Sequence, residues 1–271
     1  VLAQLVIDRA KKLNKLPVPL LLIDLEAQYS DTIAHAEEIM LLPEVEPYWI
    51  CLPLALRNAV SCFEPKWQCW DPDAKGKWVR DMPKLCISDE KYFDWFFRNM
   101  EFEEFIIEFA RWFSKGERTA CFIGIRTDES LNRWRTIFAM QTKKITFRDN
   151  QWTTLVKATK EPVYNCYPIY DWKVSDIWKC VYDQQFAYNR IYDKMYLAGR
   201  SVHDQRICQP YGDDQRKGLD LFHLCEPETW FKVVNRVAGA NFGALYKGQR
   251  ILGNQKVHLP PGHTKHYQGV Y

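Results

Sequence analysis

Leu2, Leu5, Val6, Arg9, Ala10 and Leu13 recur at helical spacing and predict an amphipathic helix over residues 1–14. No Ser, Thr, Asp or Asn stands before Val1 to cap it, so it reads as a helix cut into rather than one that starts there. A connector over residues 15–19 leads to the apolar run Leu20-Leu21-Leu22-Ile23, a buried strand that ends at Asp24-Leu25-Glu26. Ser30 or Asp31 then opens a helix carrying Thr32, Ile33, Ala36, Ile39 and Met40, and a second strand is expected at 48–52. Strand, helix and strand in this order predict a βαβ unit in a mostly parallel sheet.

The pattern breaks over residues 61–88, where Pro, Gly, Trp and charge alternate, as in Glu64-Pro65-Lys66-Trp67 and Trp70-Asp71-Pro72-Asp73. A loop of this length carries function or covers something. Helix is expected again from near Asp89, then over 101–114, where Phe102, Phe105, Ile106, Phe109 and Trp112 share a face before Gly116. Residues 119–125 read as a buried strand, followed by Arg126-Thr127-Asp128-Glu129-Ser130 and a helix from Leu131. A hairpin at 144–154 and a last strand at 163–169 complete the sheet, and 172–271 reads mostly as helix and loop. No internal repeat or low-complexity linker is evident.

With 271 residues, 47% hydrophobic and 26% charged, the chain suits one large domain or a domain with an extension, not a disordered or fibrous protein. Folding at this size buries roughly three quarters of the unfolded surface. The longest apolar run is far short of a bilayer span of ~20 residues, and no basic-then-apolar leader opens the chain. These features predict a cytoplasmic protein without a membrane partner. A net charge of +3 is too small for non-specific nucleic-acid binding, although a local basic patch stays open. Nine irregularly spaced cysteines point to free thiols in a reducing compartment. Eleven Trp, 14 Tyr and 15 Phe predict a thick aromatic core, with a minority free to stack on a planar ligand such as a purine.

Ligands of open α/β sheets bind beyond the carboxyl ends of the strands. That rule selects residues 24–29, 52–58 and 124–135. The third is the richest: Gly124 permits a close turn, Arg126 sits where strand hands over to helix, and Arg133 and Arg135 follow. Fork-shaped guanidinium donors beside backbone N–H groups suit phosphate; equally, the Arg and Glu residues could pair with each other on a surface loop. The densest polar segment, residues 206–218, sets Asp213 and Asp214 beside Arg206, Arg216 and Lys217. It reads either as a clamp for Mg²⁺ and nucleotide phosphates or as a solvated turn capping the next helix. No CxxC pair, GxSxG elbow or HExxH motif is present, so no resident metal is expected, and His258, His263 and His266 suit an exposed tail as well as a metal.

Gly124-Ile125-Arg126-Thr127-Asp128-Glu129-Ser130 with Arg133, Tyr167-Pro168-Ile169-Tyr170-Asp171-Trp172, and Asp176-Ile177-Trp178 together resemble the phosphoadenosine phosphosulfate (PAPS) reductase-like branch of the PP-loop ATP pyrophosphatases. The likeness extends almost end to end to a subgroup that includes immunoglobulin-binding regulator A-type proteins, through stretches such as Ile23-Asp24-Leu25-Glu26-Ala27-Gln28-Tyr29 and Arg206-Ile207-Cys208-Gln209-Pro210-Tyr211.

The resemblance implies a Rossmann-like α/β fold of adenine nucleotide α-hydrolase type, a mostly parallel twisted sheet with helices on both faces. Residues 1–170 would form the nucleotide-binding domain, with 61–88 as an insertion loop, and a mainly helical extension over 171–271 would complete the site. ATP or a PAPS-like nucleotide with Mg²⁺ is the implied ligand. Ile23, Asp24, Leu25 and Glu26 would lie near adenine and ribose, alongside Gly124, Glu129, Ser130, Arg206 and Lys217. Arg126, Arg133, Asp213, Asp214 and Arg216 would carry the chemistry. The SGGKDS phosphate loop of the family is absent from these residues, so a strand and loop upstream of Val1 are expected. No cysteine follows Cys225, unlike the Glu-Cys-Gly segment of PAPS reductases. The expected activity is cleavage of the α–β bond of ATP to adenylylate an acceptor, in sulfur transfer or on a nucleic acid. A nucleotide-binding regulatory subunit with a protein partner, and PAPS reduction through Cys208 or Cys225, are the alternatives.

Overall fold

The computed structural model describes residues 1–61, 63–139, 144–207 and 219–240. Helix α1 (Leu2–Lys12) leads into strand β1 (Val18–Ile23), which pairs in parallel with β2 (Val45–Ile50), Val18 opposite Val45 and Ile23 opposite Ile50. Helix α2 (Ser30–Met40) is the crossover, so the expected βαβ unit is present. Both strands start earlier than their apolar runs because each opens around a proline. The N–H groups of Val18 and Asp24 donate to Glu44 and Ile50, so alternation turns the Pro19 nitrogen away from β2, where no ladder bond is lost.

The segment 61–88 is folded. Strand β3 (Ala55–Arg57) pairs antiparallel with β4 (Lys66–Gln68), and a 3₁₀ turn spans Pro72–Lys77. The helix expected from near Asp89 is instead a series of turns. Asp89 Oδ1 accepts from Lys91 N–H at 2.9 Å, and Asn99 takes a left-handed φ of 67°, both of which favour turns over helix. Helix follows only at α3 (Phe102–Ser114), closed by Lys115 and Gly116 at positive φ. Phe105 and Phe109 of α3 are buried against Phe93, part of a dense aromatic core.

Strands β5 (Thr119–Phe122) and β7 (Val163–Cys166) are parallel, and β6 (Thr153–Leu155) runs antiparallel to β7. Arg148 and Asp149, both at positive φ, make the tight turn before β6. Helix α4 (Leu131–Trp134) continues into a π-helical turn at Arg135–Ala139. The described elements after β7 are helices: α5 (Val174–Gln184), α6 (Ile191–Leu197), α7 (Leu219–Cys225) and α8 (Pro227–Arg236).

One expectation needs correction. A single extended parallel sheet is not formed among the described residues: β1–β2, β3–β4 and β5–β7–β6 are separate, and β1 does not pair with β5. An apolar groove of about 640 Å³, lined by residues of β1 and β5 with flanks from α1 and α3, lies between these strands. Because Thr119 and Ile123 donate to Pro162 and Cys166, alternation directs the N–H groups of Ala120 and Phe122 away from β7. The N–H groups of Leu21 and Ile23 likewise face away from β2.

Candidate functional site

A cavity of about 620 Å³ lies past the ends of β5 and β7, lined by Gly124, Arg126, Glu129, Ser130, Arg133, Ile169 and Arg206. Its walls are built by stitching two strand exits together. The N–H and hydroxyl of Thr127 both donate to the Tyr170 carbonyl, at 2.8 and 2.9 Å, and Arg126 Nη1 donates to the Trp172 carbonyl at 3.2 Å. Ser130 Oγ accepts from Arg133 N–H at 3.3 Å and caps α4.

Three guanidinium groups converge on Glu129. Arg126 Nε lies 3.2 Å from Oε1, Arg133 Nε lies 3.9 Å from Oε2, and Arg206 Nη2 donates to the backbone carbonyl at 2.6 Å. Arg126 also lies 3.5 Å from Asp128 Oδ2, and its side chain is only 13% exposed. A low-dielectric setting strengthens such pairs, and the same forks suit the planar oxygens of a phosphate or sulfate. Of the two sequence readings of this loop, the pairing of Arg with Glu is present, and it lies in the wall of a cavity.

The C-terminal half also lines this cavity. Trp178 packs edge-on against Tyr188 and Tyr192, with centroids 5.3 and 5.7 Å away, and all three line the cavity with Asn189 and His203. Tyr188, Tyr192 and His203 escaped sequence reading; the Asp176-Ile177-Trp178 segment was the sole signal for this lining. Gly124 is less constrained than its place suggests. A Cβ there would meet Leu2 and Ile169 at 3.5–3.9 Å, ordinary contact distances.

Asp24 and Glu26 are placed differently from the other sequence-selected residues, in a buried charge lattice under the insertion loop. Asp24 accepts from Trp49 Nε1 at 2.8 Å, from Glu26 N–H at 3.0 Å, and from Arg80 at both carboxylate oxygens. Glu26 accepts from the N–H groups of Trp70 and Val79, at 2.8 and 3.1 Å, and from Arg236 Nε at 2.9 Å. Arg80 stacks over Trp70 and Arg236 over Trp67. Both carboxylates are thus spent inside the protein; Ile23, Asp24, Leu25 and Glu26 are not among the residues lining the cavity. Asp213, Asp214, Arg216 and Lys217 lie outside the described residues.

Guanidinium groups and aromatic rings thus line one cavity at the strand ends of a mixed α/β chain. Residues 94–200 match a family described as the phosphoadenosine phosphosulfate reductase domain. Residues 199–269 match a second family, described as a domain of unknown function (DUF3440). The chain is 40% identical over 261 residues to the Escherichia coli (strain K12) uncharacterized protein YbdN, a match covering 94% of this chain and 63% of that protein. No solved structure matches the chain. Among the described residues, no helix is long and apolar enough to cross a membrane, and the described cysteines are free thiols.

Proposed function

We propose that this chain binds an adenine nucleotide in the arginine-ringed cavity and cleaves the α–β phosphate bond of ATP, passing the adenylyl group to an acceptor and releasing pyrophosphate. The observation that carries this reading is the convergence of Arg126, Arg133 and Arg206 on Glu129 in the cavity wall. Catalysis would consist of positioning and charge neutralisation: developing negative charge on the phosphates meets preorganised guanidinium donors. Glu129 acts as the resident counter-charge that an incoming phosphate displaces. The Trp178, Tyr188 and Tyr192 rings would take the apolar face of the purine.

The donor set fits a nucleotide anion. Mg²⁺ would enter with its nucleotide as part of the substrate, and within the described residues the guanidinium groups alone supply positive charge to the cavity wall beside Glu129. Arg206 and the α5–α6 side chains lining the cavity support a C-terminal extension that completes the site. The groove between β1 and β5 suits a further parallel strand, with the phosphate loop following it. Of the two cysteines considered for sulfonucleotide reduction, Cys225 does not line the cavity, and Cys208 lies outside the described residues.

The test is pyrophosphate release from ATP by the full-length protein and by its Arg126→Ala variant. Release that falls by an order of magnitude or more in the variant supports the assignment. Undiminished release removes this site. Tight nucleotide binding without release converts the reading to a regulatory subunit.

A further inference from the structure

Away from the cavity, the end of the insertion loop returns to the sheet beside β2. Cys51 N–H donates to the Ile87 carbonyl at 3.0 Å, Ile87 N–H donates to the Trp49 carbonyl at 2.7 Å, and Ile50 and Ile87 form a parallel bridge. Cys51 and Cys86 flank the bridged residues, so the pleat directs both side chains to one face. Their side chains interact electrostatically across the bridge. Cys51 is wholly buried and Cys86 only partly so. The Cys51 S–H has an acceptor in Asp24 Oδ2, 3.7 Å away.

We propose that Cys51 and Cys86 form a dithiol site that a small-molecule disulfide, such as glutathione disulfide, oxidises reversibly to an intramolecular disulfide. The two sulfurs have unequal tasks. The interaction with Cys51 draws the Cys86 thiol below its ordinary range, toward thiolate, while burial pushes the Cys51 thiol up. Cys86 is therefore the sulfur that meets reagent, and Cys51 the one that resolves.

In the first step the Cys86 thiolate attacks one sulfur of glutathione disulfide. The S–S bond breaks, one glutathione leaves as thiolate, and a mixed disulfide forms on Cys86. Cys51 then gives up its proton and attacks the Cys86 sulfur, expelling the second glutathione, which is protonated. Two protein thiols lose two electrons and one glutathione disulfide gains them. Closure to a covalent S–S length of ~2.05 Å draws the loop end toward β2 and takes the Cys51 proton from Asp24. Neither cysteine lines the nucleotide cavity, so this proposal stands or falls apart from the adenylyl-transfer reading.

The protein carries its own control. Cys121 pairs with Asn165 and Phe122 with Cys166 across β5 and β7, which puts Cys121 and Cys166 on opposite faces and forbids a bond between them. The test equilibrates the full-length protein with glutathione and glutathione disulfide at a series of ratios. Remaining thiols are alkylated and the digest is read by mass spectrometry. A Cys51–Cys86 cross-linked peptide that grows with the oxidised fraction and vanishes on dithiothreitol treatment is the expected result, with Cys121 and Cys166 alkylated. A Cys51→Ser variant should stop at the glutathione adduct on Cys86. The proposal is overturned if the unaltered protein accumulates that adduct without resolving it. It also fails if both thiols stay alkylatable at every ratio, or if Cys86 pairs elsewhere; these readouts need no variant to fold.

Discussion

Arg126 and Glu129 form a 3.2 Å ion pair across a single 3₁₀ turn, in a wall that an anionic ligand would share. Any phosphate reaching Arg126 competes with this carboxylate. Arg126→Ala should weaken ATP binding about 10- to 100-fold, the worth of one charge-assisted hydrogen bond. Glu129→Gln should act in the opposite direction and tighten binding several-fold, since it keeps the shape and removes the competing charge. Calorimetric titration with ATP reads both; equal affinities in all three proteins would detach the pair from the site.

The Glu26–Arg236 pair joins the end of β1 to α8 across 210 positions of chain, and both side chains are withdrawn from water. Glu26→Ala leaves a buried guanidinium without its partner, along with the N–H groups of Trp70 and Val79. The expected loss of stability is about 3–5 kcal/mol, measured by urea denaturation. A loss under about 1 kcal/mol would mean that water reaches this lattice.

Gly239 and Gly124 make opposite predictions for one chemical change. Gly239 has a φ of +83°, and a Cβ there would lie 2.3 Å from the Val60 carbonyl oxygen. Gly239→Ala should therefore cost ~2 kcal/mol or more by backbone strain and clash. Gly124→Ala should leave the melting temperature nearly unchanged, so any fall in its nucleotide affinity reports a close approach of ligand to that backbone. Thermal melts of the two variants settle the contrast.

Tyr48 donates to Glu46 Oε1 at 2.7 Å and packs edge-on against Phe109, Trp112 and Phe113. Burial first, then the Glu46 carboxylate, pushes its phenol up to about 12. A raised folded-state value means that its contribution is complete below pH ~10, the ordinary tyrosine range, and is lost as pH climbs towards 12. Ultraviolet titration should show a late phenolate that Tyr48→Phe abolishes. A titration finished near pH 10 would contradict this environment.

The groove between β1 and β5 gives a prediction for the full-length protein. If a further strand fills it, the amides of Leu21, Ile23, Ala120 and Phe122 become hydrogen-bonded and exchange slowly. Hydrogen exchange on a protein extended upstream of Val1 should show this protection, and on residues 1–271 alone it should not. Rapid exchange in both would leave the two sheets independent.

Much of this architecture was open to reading one residue after another. The helical spacing of Leu2, Leu5 and Val6, the apolar run at Leu20, and the shared face of Phe105 and Phe109 report local order directly, because a helix or strand face repeats over a few residues. Arg126 and Arg133 were selected for the same reason: a strand exit meets a helix start within ten positions. Local pattern misled at Asp89, where the side chain bonds its own turn.

What no local pattern contains is which distant partner a charge will find. Asp24 and Glu26 stand at a strand exit like Arg126, yet folding seals them under Trp70, Arg80 and Arg236. Glu226, rather than Ser30 or Asp31, holds the start of α2, accepting from their N–H groups at 2.8 and 3.2 Å. Arg206 reaches Glu129 from 77 positions away. Periodicity is paid out in neighbouring residues, whereas burial and ion pairing depend on separations that only the packed chain brings to contact distance.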